Sequence, residues 1–135
     1  MVAIKAGCFL IDKKTKSIAL VHRQKQNDFS FPKGHLDEGE DIKTCALRET
    51  AEEVKREAVI VEEFEPYVER YTSSSGEECE NYMFIALDNG PSDNTSTDVH
   101  ELVWTPFDEV ESVLSYPSLK HTWSEVKDKI KTLLD

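Results

Sequence analysis

Cysteine is scarce in this chain, and what there is forms no pattern. Cys8, Cys45 and Cys79 are odd in number, and no two have the C-x-x-C spacing. That argues against a disulfide framework and against a cysteine-ligated zinc site, and it makes a reducing cytosol, hence a cytoplasmic protein, the expectation. Positive charge is also short. Sixteen Lys and Arg face 27 Asp and Glu, for a formal net charge of −11. Binding to long nucleic acid or to an anionic membrane surface needs a basic footprint that this composition lacks. An anionic substrate would be repelled unless metal ions or a local basic patch intervened. Long apolar runs are missing as well. The opening MVAIKAGCFLIDKKTK is interrupted by Lys5 and has no small-residue cleavage site, so it reads as a strand and not as a signal peptide. No other run approaches the length of a membrane span.

What remains is 39% hydrophobic and 32% charged over 135 residues, which suits one globular domain spanning 1–135 with a core of its own. Val2 to Ile11 and Ser17 to Arg23 are rich in β-formers and flank the polar Asp12–Lys16, a hairpin pattern. Phe29-Ser30-Phe31 alternates and stops at Pro32, and Lys33 to Glu40, with two glycines, reads as a loop. Asp41 is a candidate N-cap for a helix running to about Lys55, with Ile42, Cys45, Ala46 and Val54 as its buried stripe. Strands are expected over Ala58–Phe64, Tyr67–Ser73 and Asn81–Leu87, then a surface loop over Asp88–Asp98 and a short strand at Glu101–Trp104. Phe107–Leu114 suggests a short helix. Thr122-Trp123-Ser124-Glu125 has capping-box spacing and predicts a final helix opening there, burying Trp123, Val126, Ile130 and Leu133. Trp104 is expected in the core, and the cysteines look structural. Strands, helix, strands and helices in that order give an α/β fold in which a mixed sheet is covered by helices on both faces. The sequence carries no signal for oligomeric state.

The most informative run is Gly34–Glu53, GHLDEGEDIKTCALRETAEE. Glu49, Glu52 and Glu53 stand at i, i+3 and i+4, which on a helix brings three carboxylates to one face. Like charges so close need a counter-charge, and a divalent cation would supply one. The spacing Gly34-x5-Glu40-x7-Arg48-Glu49-x2-Glu52-Glu53 resembles the signature of the Nudix hydrolases. Three positions depart from that signature. Thr50 stands at an apolar position, Lys55 replaces the glycine that ends the helix, and Arg56 replaces the last apolar residue. With Lys55 there, the helix is expected to run on toward Glu57.

The resemblance implies a Nudix-like α/β/α sandwich and a hydrolase that attacks phosphorus with water, using Mg²⁺ or Mn²⁺. It implies Glu49, Glu52 and Glu53 as metal ligands, with the Gly34 carbonyl as a further one. A glutamate outside the box, Glu101, is a further candidate ligand or base. Arg48 would orient a box glutamate by a charge-assisted hydrogen bond, and Glu40 would brace the loop against the helix. Glu49 is the first candidate for general base and Glu53 the second. The run Phe31-Pro32-Lys33-Gly34-His35 resembles the PKGH segment of the diadenosine polyphosphate hydrolases of that family. It makes Lys33, a phosphate contact, and His35 candidate substrate-binding residues, and Arg23, at the end of a strand, is a candidate second phosphate contact. Tyr71, Tyr82 and Phe84 are candidates to stack on a base. The implied partner is a small nucleotide, first a dinucleoside polyphosphate such as diadenosine tetraphosphate. A nucleoside triphosphate or oxidised nucleotide follows, and a non-catalytic nucleotide-sensing module is the alternative outside catalysis.

Overall fold

The computed structural model describes residues 2–135. Eight strands form one mixed sheet: β1 (Val2–Asp12), β2 (Ser17–Arg23), β3 (Asp28–Ser30), β4 (Lys33–His35), β5 (Arg56–Ile60), β6 (Tyr67–Thr72), β7 (Glu78–Pro91) and β8 (Glu101–Pro106). Three α-helices accompany them: α1 (Ile42–Val54), α2 (Val110–Val113) and α3 (Pro117–Leu134), with a 3-10 turn at Phe107–Glu109. None of the described helices is long and apolar enough to cross a membrane.

β1 is central. It runs parallel to β7 over ten residue pairs, Val2 opposite Glu78 through Ile11 opposite Leu87. Its other edge takes β4 along the first half and β2 at the far end. The other pairings are antiparallel. Being covered on both sides explains why Ala6-Gly7-Cys8-Phe9-Leu10-Ile11 is apolar without alternation. Phe9 and Ile11 face one core with Ile18, Leu20, Phe31, Trp123, Val126 and Ile130, under α3. Ala6, Cys8 and Leu10 face another with Cys45, Ala46, Val54 and Phe84, under α1. The expected α/β/α sandwich is what forms.

The helix of the acidic run starts at its expected cap. The Asp41 Oδ1 accepts the Thr44 N–H at 2.8 Å, which satisfies one of the orphan donors of the first turn. Thr50 is fully buried and returns its hydroxyl to the Ala46 carbonyl at 2.9 Å, so the polar atom in the apolar position is satisfied. The helix does not run on toward Glu57. Lys55 takes the left-handed conformation itself, φ 55° and ψ 40°. Its ammonium donates to the carbonyls of Asn94 at 2.9 Å and Ser96 at 2.6 Å. Two charge-assisted bonds thus offset a conformation that costs about 1–2 kcal/mol for a residue with Cβ. Arg56, where the signature is apolar, pairs with Asp88 at 2.8 Å and lies over the ring of Trp104.

Five other expectations change. α3 opens at Pro117, five residues before Thr122, because proline suits the first helical position and Tyr116 supplies the extended residue before it. Thr122 is buried inside the helix, and Leu134 is buried where Leu133 is only partly so. β7 continues through Asp88 to Pro91, which the loop-like composition concealed; pairing with β5 holds it extended. Lys33–His35, expected as loop, is a short strand because β1 offers it an open edge. Trp104 is only partly buried, at the edge of the α1 core.

Candidate active site

The site is assembled where β4 lies on β1. Gly7 permits that approach, since a Cβ there would stand 2.0 Å from the Pro32 carbonyl oxygen. The register Gly7–Lys33, Ala6–Gly34, Lys5–His35 then carries Gly34 under α1. Glu49 fills the space above it, and a Cβ on Gly34 would stand 2.1 Å from Glu49 Oε2. The glycine is a cradle for a carboxylate.

Arg48 organises the acidic face. Its Nε and Nη2 donate to the two oxygens of Glu40, at 2.7 and 2.9 Å. Nη1 donates to Glu49 Oε1 at 2.8 Å and to Glu52 Oε1 at 2.9 Å. Nη2 also reaches the His35 carbonyl at 3.0 Å. One guanidinium therefore ties the β4 loop to three glutamates. The Arg48 hydrogen bonds hold the Glu40 carboxyl down at about 2. The second Glu40 role is local, accepting the Asp37 N–H at 3.0 Å.

Glu49 and Glu53 are less well neutralised. Burial pushes the carboxyl of Glu49 up despite Arg48. Burial also pushes Glu53 up to about 7, opposed by the Lys33 N–H that donates to its Oε1 at 2.8 Å. Lys33, deeply set beside Glu53, is pushed below the usual lysine range by its own burial. Among the described residues no three His, Cys, Asp or Glu side chains already converge as a formed cation cage, Arg48 being the cation between Glu49 and Glu52. The donors nevertheless fit a hard divalent ion. They are carboxylate oxygens on one helix face, two of them destabilised by burial, above a glycine backbone.

Two spaces meet at Lys33 and Glu53. An acidic cleft of about 680 Å³ is lined by Gly34, His35, Arg48, Glu49, Glu52 and the loop Thr97–His100. On the other side, a cavity of about 330 Å³ is lined by Arg23, Phe31, Glu69, Tyr71, Tyr116 and Leu119. His35 is exposed at the cleft rim. Arg23 borders the cavity with its guanidinium fixed by buried Asp28, 2.8 Å from Nε to Oδ1. Arg23 in turn keeps the Asp28 carboxyl at about 2, with help from the Tyr116 hydroxyl.

Three candidate residues lie elsewhere. Glu101 is turned to the opposite face, where it accepts from His22 Nδ1 at 2.7 Å. Phe84 is 3% exposed in the core under α1. Tyr82 packs against the same cluster and donates its hydroxyl to Glu80 at 2.9 Å. Neither lines the cleft or the cavity, because the face they share is the one α1 covers. Tyr71, by contrast, lines the cavity.

The sequence reading missed His100, Glu69 and Tyr116. His100 donates its N–H to the Glu53 carbonyl at 2.8 Å, and its Nε2 stands 3.9 Å from Glu53 Oε2. Strand parity could have found it. Leu102 and Trp104 pack on the α1 side, which puts position 100 on that side and 101 on the other.

The family model of the NUDIX domain matches residues 1–130. An 8-oxo-(d)GTP phosphatase of Mycolicibacterium smegmatis is 33% identical over 103 residues, covering 76% of this chain and 31% of that protein. The chain thus spans about a third of that relative's length. Among solved structures, the Ap4A hydrolase of C. elegans superposes with a TM-score of 0.75 at 23% identity, covering 100% of both chains. A NUDIX hydrolase from Nitrosomonas europaea gives 0.73 at 16% identity, covering 98% of this chain and 90% of that one. At those identities the superpositions speak to the fold.

Proposed function

This chain belongs to the NUDIX domain family, and from that premise we propose that it is a divalent-metal-dependent pyrophosphohydrolase of nucleoside polyphosphates. The observation that carries the reading is the junction at Lys33 and Glu53, where a carboxylate cleft adjoins a cavity with Phe31, Tyr71 and Tyr116 in its walls. A substrate with a charged polyphosphate and a flat organic moiety needs both halves side by side.

Glu49, Glu52, Glu53 and the Gly34 carbonyl would hold Mg²⁺ or Mn²⁺. When bound, the ion supplies neutralisation of phosphate charge and a bound water of lowered pKa. Lys33 and Arg23 attract and orient the polyphosphate, with His35 at the rim, which offsets the repulsion of a chain of net charge −11. Water attacks phosphorus, the anhydride P–O bond breaks, and a carboxylate accepts the water's proton. Glu49 is the first candidate from the sequence. The geometry favours Glu53, because Glu49 is bound to Arg48 while Glu53 sits where cleft and cavity meet. Arg48 and Glu40 position the loop and the helix. Tyr71 and Tyr116 flank the cavity as surfaces for a base.

A dinucleoside polyphosphate is the leading substrate class, supported by the Phe31–His35 run. A nucleoside triphosphate or oxidised nucleotide is the second reading, favoured by the 33% identity to the 8-oxo-(d)GTP phosphatase. The test is a panel of diadenosine tetraphosphate, nucleoside triphosphates and 8-oxo-dGTP, run with Mg²⁺ in ¹⁸O-water. Label in a phosphate product is expected. No turnover of any member would overturn the enzymatic reading and leave nucleotide sensing. Lys33→Ala should raise KM for the best substrate several-fold, and an unchanged KM would remove Lys33 from the site.

A further inference from the structure

Below the 330 Å³ cavity lies a much smaller space of about 10 Å³ that shares Phe31, Lys33, Glu69 and Leu119 with it. Its remaining walls include Asn81 and Thr122. That volume corresponds to about one water-sized group. Asn81 is 4% exposed, and its Oδ1 is buried with no hydrogen-bond partner among the described residues. It stands directly opposite Glu69 in the β6–β7 ladder, so both side chains rise from the same face of the sheet. A buried acceptor without a donor is costly, and natural structures seldom leave one.

We infer that this niche reads the exocyclic amino group of the base held in the cavity. The inference rests on the nucleotide reading of the site and names what the enclosed moiety must carry. The niche admits one heavy atom and its hydrogens. An amino nitrogen would donate to Asn81 Oδ1, and Glu69 offers a second acceptor beside it. A carbonyl oxygen in the same place would face the Asn81 oxygen lone pair to lone pair. A ring C–H would leave the acceptor unpaired. Amino-bearing purines are therefore selected over hypoxanthine, whose C6 carbonyl and C2–H lack the donor. Discrimination of this kind is strong because the rejected ligand strands a buried polar group.

The experiment measures affinities of AMP, GMP and IMP for the full chain by calorimetry, beside Mg²⁺-dependent turnover of the corresponding triphosphates. AMP against IMP tests an amine at C6, and GMP against IMP tests one at C2. At least one amino nucleotide should bind on the order of tenfold more tightly than IMP, and Asn81→Leu should bring that ratio close to one. If Asn81→Leu fails to fold, Asn81→Ala, which removes the acceptor, should do the same. IMP binding as tightly as both others would overturn the inference, with the niche holding water only. A ratio that survives loss of Asn81 would overturn it too. Discrimination in binding with no hydrolysis would sustain the niche and overturn the proposed activity. Hydrolysis without discrimination would do the reverse, and no binding of any nucleotide would overturn both.

Discussion

Gly34→Ala is the sharpest perturbation this structure offers. The new Cβ would stand 2.1 Å from Glu49 Oε2, 2.2 Å from Glu49 Cδ and 2.6 Å from Oε1. Ordinary contact begins near 3.4 Å, so the carboxylate must retreat by about 1.3 Å. The backbone can accept alanine, because Gly34 lies in a strand and not in the left-handed region. What moves is the end of a flexible side chain, and the displacement breaks the 2.8 Å bond from Arg48 Nη1. The expected stability loss is therefore modest, about 1 kcal/mol, the worth of one such bond. Activity should fall much further. Misplacing a reacting or ligating group by 1 Å costs roughly a hundredfold, so kcat should drop on the order of 100-fold with a nearly unchanged Tm. Thermal unfolding beside steady-state kinetics on the best substrate separates the two. A variant with near-normal kcat would refute the reasoning, since Glu49 would then be dispensable where it stands.

Glu53→Gln should trade activity for stability. Burial raises this carboxyl from 4.5 to about 7 in the metal-free protein. A raised folded-state pKa means stability that is full below about 4.5 and is lost as pH rises through 7, up to roughly 3 kcal/mol. The variant should match the wild type at low pH, exceed it in Tm above pH 7, and lose most Mg²⁺-dependent turnover; equal Tm at pH 8 would contradict the burial argument. Lys55 can be dissected by comparing glycine and alanine. Lys55→Gly relieves the left-handed strain and Lys55→Ala does not, so alanine should be the less stable by about 1 kcal/mol. Both variants should speed hydrogen exchange of residues 92–98, and unchanged exchange would deny the tether. Gly7→Ala should cost roughly 1–3 kcal/mol by denaturant unfolding, because the clash is with Pro32 backbone. A neutral result would show that β4 can shift away from β1 without loss.

How much of this was legible in the sequence depends on the range of the interactions. α1, its Asp41 cap and the one-face carboxylates follow from spacing within a few residues, and the two-sided burial of β1 follows from its unbroken apolar run. Lys55 shows the limit. A lysine at the glycine position reads locally as a longer helix, yet carbonyls 39 and 41 residues away hold it left-handed. Glu101 failed for a related reason, since its face depends on pairing with His22, 79 residues distant.

By itself, then, the sequence determined the acidic helix, the glycine beneath it and the arginine among its carboxylates, because helical geometry and one short loop bring these together. The tertiary structure alone decided that Arg48 answers three glutamates at once, that His100 and not Glu101 reaches Glu53, and that Tyr116 lines a cavity, and Asn81 the niche adjoining it, beside Lys33. Those groups come from α1, β7, β8 and the segments that lead into β8 and α3. Only sheet pairing and helix packing, which span most of the chain, fix which of their faces meet.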